Sequence, residues 1–211
     1  MHTPSFFRAA GLAVAAAVAA CGGADAPPAA DADPAALEPP PECALGPRDP
    51  AWSPPTGDYG GEVGQYLPDF DASITDCDGN PVSLYDIVSQ AELTLVSIGA
   101  GWCEPCITES QTLDADVFRA FCARGLRVVQ VLFEDAQSRP ATKLFCSEWK
   151  QRFALSFPVT VDPLFTTRAL FDSIQAQTPL NLLVDATGKI VFKETGTPGE
   201  GLPDQIDALL P

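Results

Sequence analysis

Along the chain, the hydrophobic positions change period several times, and each change marks an element. Leu93 to Ile98 is a continuous β-prone run, as expected for a central strand buried on both faces. From 104 to 123, Leu113, Val117, Phe118 and Phe121 recur at helical spacing and stop near Gly125, which predicts a helix. Leu126 to Phe133 reads as a second buried strand. Residues 140–154 carry Leu144, Trp149 and Phe153 at helical spacing; Phe157 to Val161 is a short strand and Pro163 to Phe171 a short helix. Leu180–Val184 and Lys189–Glu194 flank Asp185-Ala186-Thr187-Gly188 as a hairpin, and Pro203–Leu210 closes the chain as a helix. Upstream, Phe70–Ile74 and Val82–Leu84 flank the turn signal Asp78-Gly79-Asn80, which predicts an N-terminal β-hairpin extension. Strand–helix–strand order followed by a hairpin and a helix gives an α/β fold: a mixed central sheet flanked by helices.

The first 62 residues do not share this pattern. Residues 1–20 read as an export signal: His2 and Arg8, an apolar run from Ala9 to Ala20, then small residues leading into Cys21. Twelve apolar residues are too few to span a bilayer, which takes about 20. Val18-Ala19-Ala20-Cys21 resembles a bacterial lipobox, so Cys21 is the expected lipidation site; the alternative is an ordinary cleaved signal with a stray cysteine. Residues 21–41, rich in Ala, Pro and Asp, can bury no core and read as a disordered tether. Residues 42–62 keep Pro and Gly but add Cys43, Trp52 and Tyr59, and read as an irregular extension packed on the domain, which spans 63–211.

Charge and composition exclude several functions. The 211 residues hold 28 acidic against 12 basic side chains, a net charge of -16. Nucleic-acid binding is excluded on that balance, because it rests on Lys and Arg neutralising phosphates. The one histidine is His2, inside the leader, so no metal site and no cofactor is expected in the mature chain. Seven cysteines are many for a reducing compartment.

The chemistry concentrates at Trp102-Cys103-Glu104-Pro105-Cys106, which follows the Leu93–Ile98 strand and opens a helix. There, unpaired backbone N–H groups and the helix dipole favour a thiolate at Cys103. Cys106, three residues on, lies on the same helix surface and can close a short disulfide. Pro105 falls in the first turn, where its missing N–H costs little. Cys103 is the candidate attacking thiol and Cys106 the resolving one. A zinc site lacks further ligands, and a c-type haem site would need His at position 107, which is Ile.

With this motif the chain resembles the thioredoxin superfamily, and within it the membrane-tethered TlpA/ResA/CcmG-like branch, over about residues 63–211. Val63 to Phe70 looks like that branch's opening motif, and Glu109 follows Cys106 as in the ResA-like pattern. Thr178-Pro179 matches the family's cis-proline loop. The resemblance implies a thioredoxin-like fold and a catalytic set of Cys103, Cys106 and Glu109. Trp102, Pro105, Thr178 and Pro179 would form the substrate-binding surface. It implies a monomeric, extracytoplasmic, lipid-anchored reductant of protein disulfides, with cytochrome c maturation as one setting, recycled by a membrane thiol donor. Taken alone, Glu109 could equally be an exposed helix acid. Two departures stand out: Ser97 replaces a buried Asp or Asn, and Gln111 replaces a helix-kinking Pro.

Cys43, Cys77, Cys122 and Cys146 remain for structural roles. A Cys43–Cys77 bond would staple the irregular segment to the hairpin turn. Cys122 and Cys146 would either bond or stay as buried thiols; the family's two helices on opposite sheet faces oppose a bond. Two rival functions are a non-catalytic binding module of the same fold and a thiol peroxidase of the peroxiredoxin type. The peroxidase would need Thr three residues before Cys103, where Ala100 stands.

Overall fold

One sheet organises the molecule in the computed structural model, which describes residues 37–70, 73–171, 177–196 and 201–211. The leader, Cys21 and the tether as far as residue 36 lie outside the described residues. In chain order the strands are β1 (Thr75–Asp76), β2 (Leu93–Ala100), β3 (Leu126–Glu134), β4 (Val159–Val161), β5 (Leu180–Asp185) and β6 (Ile190–Thr195). In space they run β1-β4-β3-β2-β5-β6. β2, β3 and β4 are parallel, and β1, β5 and β6 join antiparallel. The helices are α1 (Leu84–Val88), α2 (Glu104–Ser110), α3 (Arg119–Phe121), α4 (Lys143–Arg152) and α5 (Leu202–Leu209).

Strand alternation divides the core in two. Leu93 and Leu95 of β2, Leu126, Val128 and Leu132 of β3, and Leu183 of β5 pack with Leu113, Phe118, Trp149 and Ile206. Val96 and Ile98, Val129 and Val131, and Leu180 and Leu182 point the other way, onto Leu84, Ile87 and Leu170. All eight residues of β2 are buried, as a strand covered on both faces requires.

Four features differ from the sequence expectation. The N-terminal hairpin is short: Thr75 bridges Pro81, and β1 pairs instead with β4. Its turn is held by Asp76, whose carboxylate accepts from the backbone N–H of Asp78 and Asn80. The expected second arm turns into α1 at Leu84, where Leu84, Ile87 and Val88 follow a helical rather than an alternating period. The long helix over 104–123 is interrupted after Gln111: a π-helical turn covers Leu113–Phe118, and a 3-10 turn covers Cys122–Arg124 before Gly125, at φ 100°. The break forms without the proline.

The fourth difference concerns the cysteines. The bonds are Cys43–Cys122 and Cys77–Cys146, not Cys43–Cys77 and Cys122–Cys146. Cys122 and Cys146 share one core, on one face of the sheet. Two successive right-handed crossovers, β2 to β3 and β3 to β4, step the same way and so put both helical segments on that face. Each cysteine reaches outward from there: Cys122 ties down the segment before β1, and Cys146 ties down the turn after β1.

Residues 43–67 run against the domain. Arg48 pairs with Asp86, Trp52 packs on Tyr85 and donates to the Ala186 carbonyl, and Tyr85 donates to the Leu67 carbonyl. Among the described residues no helix is long and apolar enough to cross a membrane.

Candidate active site

The site is built where β2 ends and α2 begins. Cys103 is the N-cap residue of α2, extended at φ -82° and ψ 106°, and its Sγ accepts from the Cys106 N–H at 3.2 Å. A sulfur in this position takes up one of the helix's unpaired donors, and a thiolate there would be stabilised by the same N–H. Cys103 and Cys106 form a disulfide across three residues and are 3% and 1% exposed. Gly99 allows the close fit: a Cβ there would meet Cys106 Sγ at 2.9 Å.

Trp102 is 47% exposed beside the disulfide. Its indole N–H donates to Glu134 at 2.7 Å, and its ring meets Phe133 edge-on. Phe133 in turn stacks on Phe165 at 3.9 Å. Thr178–Pro179 is a cis peptide, the geometry the resemblance implies. Pro179 is buried, and its carbonyl accepts from Gly196. Trp102, Cys103, Glu104, Pro105, Gln177, Thr178 and Gly196 line an open groove of about 440 Å³. The structure thus brings Trp102, Cys103, Pro105 and Thr178 to one groove, with Cys106 and Pro179 beneath it. Glu104 is exposed.

Glu109 is not on the surface but 7% exposed, facing the sheet. Ser97 Oγ donates to its Oε1 at 3.1 Å and Asn181 Nδ2 to its Oε2 at 3.2 Å. Burial pushes its carboxyl up to about 7; the hydrogen bonds from Asn181 and Ser97 oppose this, and the nearby charge of Glu194 adds to it. A carboxyl of that affinity, one turn from Cys106, can take and return a proton at neutral pH. Ser97 therefore keeps a polar role at the strand position where the family more often carries Asp or Asn.

Two polar residues of the site were not singled out from sequence. Asn181 and Gln130 both lie beside Ser97 in register, so one polar row crosses β5, β2 and β3 beneath α2. Gln130 donates to Ser110 Oγ and accepts from the Trp149 indole, and Ser110 donates to the Cys106 carbonyl. The signal was present: each is a lone polar residue inside a buried apolar run, Gln130 in Val128–Phe133 and Asn181 in Leu180–Val184.

A family model described as the AhpC/TSA family matches residues 63–193. The chain belongs to that family. Among solved structures it is similar to a candidate thiol:disulfide interchange protein DsbE from Chlorobium tepidum, with 25% identity and a TM-score of 0.58; the match covers 71% of this chain and 99% of that one. It is also similar to the thioredoxin domain of a thiol-disulfide oxidoreductase from Bacteroides vulgatus, with 21% identity, a TM-score of 0.57 and coverage of 71% and 99%. A thioredoxin-family thiol:disulfide interchange protein from Chlorobium tepidum TLS matches at 19% identity and a TM-score of 0.54, over 69% and 94%. No curated protein matches the chain significantly. The fold is thioredoxin-like and of the TlpA/ResA/CcmG type, and the protein is a thioredoxin-like thiol:disulfide oxidoreductase.

Proposed function

We propose that this protein reduces disulfides in other proteins, outside the cytoplasm, while held to a membrane by lipid on Cys21. The observation that carries the redox reading is the Cys103–Cys106 bond at the start of α2, with Cys103 opening onto the groove beside Thr178 and Pro179. In the reduced form the Cys103 thiolate attacks one sulfur of a client disulfide, and the other client sulfur leaves as a thiolate. Cys106 then bonds to Cys103 Sγ, its proton passes to Glu109, and the second client sulfur leaves with its electron pair. Two electrons have moved to the client, and a membrane thiol donor restores the dithiol. Trp102, Pro105, Thr178 and Pro179 form the docking surface; among the described residues no hydrogen bond engages the backbone N–H or carbonyl of Thr178. An apocytochrome awaiting haem is one client of the right class.

Two features support the compartment. All six cysteines of the described residues are in disulfides, the pattern of an oxidising environment, and residues 1–21 carry the export and lipidation pattern. A peroxidase is disfavoured because the residue three before Cys103 is Ala100, with no hydroxyl to bind peroxide. A pure binding module leaves a strained-looking coincidence unexplained: Gly99, the capped Cys103 and the buried acid all converge on one dithiol.

The test is substrate trapping. Cys106→Ser should leave Cys103 in a mixed disulfide with a client, separable on a non-reducing gel and released by reductant. Failure of Cys103 to react with any disulfide or alkylating agent in the folded, reduced protein overturns the enzyme in favour of the binding module.

A further inference from the structure

Two backbone irregularities meet beside the dithiol. The first is in β3. Gly99 pairs with Leu132 and Ala100 with Glu134, so β3 carries one extra residue, Phe133, opposite the end of β2. Consecutive strand residues ordinarily point to opposite faces. Here Phe133 and Glu134 both reach Trp102, one with its ring edge-on at 6.3 Å and the other with a carboxylate on the indole N–H. The second is in the turn after β4. Phe165 has φ 50° and ψ 44°, a left-handed conformation that is costly for a bulky side chain. Its N–H donates to the Asp162 carbonyl, and the buried Asp162 carboxylate accepts from the N–H and the hydroxyl of both Thr166 and Thr167. Glycine or asparagine would occupy this turn at less cost. What phenylalanine supplies is its ring, stacked on Phe133 at 3.9 Å and met edge-on by Phe171 at 5.5 Å. β4 runs parallel to β3, and β3 to β2, so the turn lies at the end of the sheet where Cys103 lies. Phe165, Phe133 and Trp102 thus form one row of rings; Phe133 is 4% exposed, and Trp102 is the half-exposed end at the groove.

We infer that Phe165 is a positioning residue for Trp102: through Phe133 it fixes the indole as a rigid apolar wall of the groove, and that wall selects clients whose reacting cysteine has an aromatic or large aliphatic neighbour. A ring already held still loses little freedom on contact, so more of its apolar area counts towards docking. Trp102 and Pro105 give the groove apolar surface, and Glu104 is the one charged residue in its described lining. Leu164, next to Phe165 in the chain, is also exposed, so this flank of the site offers solvent a second apolar side chain. The selection of clients rests on the reading of Cys103 and Cys106 as the redox pair; the positioning of Trp102 does not.

Two readouts test the two parts. Phe165→Asn tolerates the left-handed conformation and removes the ring, Phe165→Leu keeps apolar bulk without a flat ring, and Phe165→Tyr keeps the ring. The Trp102 indole N–H resonance, assigned by its loss in Trp102→Phe, is followed by nitrogen NMR in the oxidised full chain. It should be alike in the wild type and Phe165→Tyr. In Phe165→Asn and Phe165→Leu it should shift, and exchange with solvent about fivefold faster or more. An unmoved resonance in both overturns the positioning role. Turnover of two disulfide-linked peptides, alike but for Leu or Ser beside the cysteine, is then measured with a small dithiol as donor. The wild type and Phe165→Tyr should favour the Leu peptide in kcat/KM by about fivefold or more, chiefly through KM. Phe165→Asn and Phe165→Leu should lose most of that preference. Equal handling of the two peptides by the wild type, or a preference kept in both ring-less variants, overturns the selection of clients. No turnover of either peptide by the wild type overturns the redox reading and client selection with it, while the indole signal still decides the positioning role.

Discussion

Glu109 exerts its effect by being placed where water cannot reach it. In an unfolded chain it titrates near 4.5, and in the fold near about 7. Between those values the folded state binds more protons, so stability is full below the lower value and falls as pH rises through the upper one. A shift of that size corresponds to about 3 kcal/mol as an upper bound. The oxidised protein is therefore expected to lose stability from pH 5 to pH 8, and Glu109→Gln to flatten that slope. Urea midpoints at the two pH values, with disulfides intact, check this. Gln keeps the shape of Glu, and its amide can donate to the Oδ1 of Asn181, a buried acceptor without a partner among the described residues. Sequence made Glu109 visible as a candidate because it follows Cys106 by one turn. Its burial was not legible, because burial depends on Ser97 and Asn181, which come from strands 12 and 72 residues away.

At the scale of elements, the break after α2 shows what a missing proline leaves undecided. Gln111 sits at φ -67°, already the angle proline imposes, and its N–H reaches the carbonyls of Thr108, at 3.3 Å, and Glu109 rather than one a full helical turn back. The break is built by the π-helical turn that follows, with Leu113, Val117 and Phe118 buried against the sheet. Proline within a regular helix costs about 3 kcal/mol or more. Gln111→Pro is expected to cost well under 1 kcal/mol here, since little is there to lose; thermal or urea unfolding of the variant measures it. Strand runs, the terminal hairpin and the last helix could be read from period alone. The interruption could not, because Leu113, Val117 and Phe118 fit a continuous helix equally well. The short helix α1 was missed for the opposite reason: three apolar residues at Leu84, Ile87 and Val88 are too few to outweigh a turn signal just before them.

For the whole molecule, the cysteine pairing was the least legible feature, since six cysteines allow 15 arrangements and sequence distance does not rank them. The two long-range bonds, spanning 79 and 69 residues, close large loops around the central sheet. Removing one should destabilise the protein by about 4 kcal/mol if the loss is mainly unfolded-chain entropy. The Cys43→Ser/Cys122→Ser pair is expected to lower the urea midpoint by that measure, yet to leave Cys103–Cys106 intact on thiol counting. Charge also acts at this scale. Residues 1–41 hold 4 of the 28 acids and one of the 12 bases, so the acidity belongs to the domain and favours partners with basic surfaces.

The Cys43–Cys122 bond has a geographical consequence. Cys122 lies just before β3, at the edge of the sheet where β2 and β3 begin, and Cys103 lies past the edge where β2 ends. Eight residues of strand, roughly 25 Å, separate the two poles. Residues 37–42, the described segment before Cys43, therefore meet the molecule at its base, while the dithiol opens at its summit. If residues 1–42 moor the protein to a membrane, the mooring and the dithiol stand at opposite ends of the domain. A client in the aqueous phase and a donor embedded in the membrane then reach the same dithiol in opposite orientations of the domain on its tether.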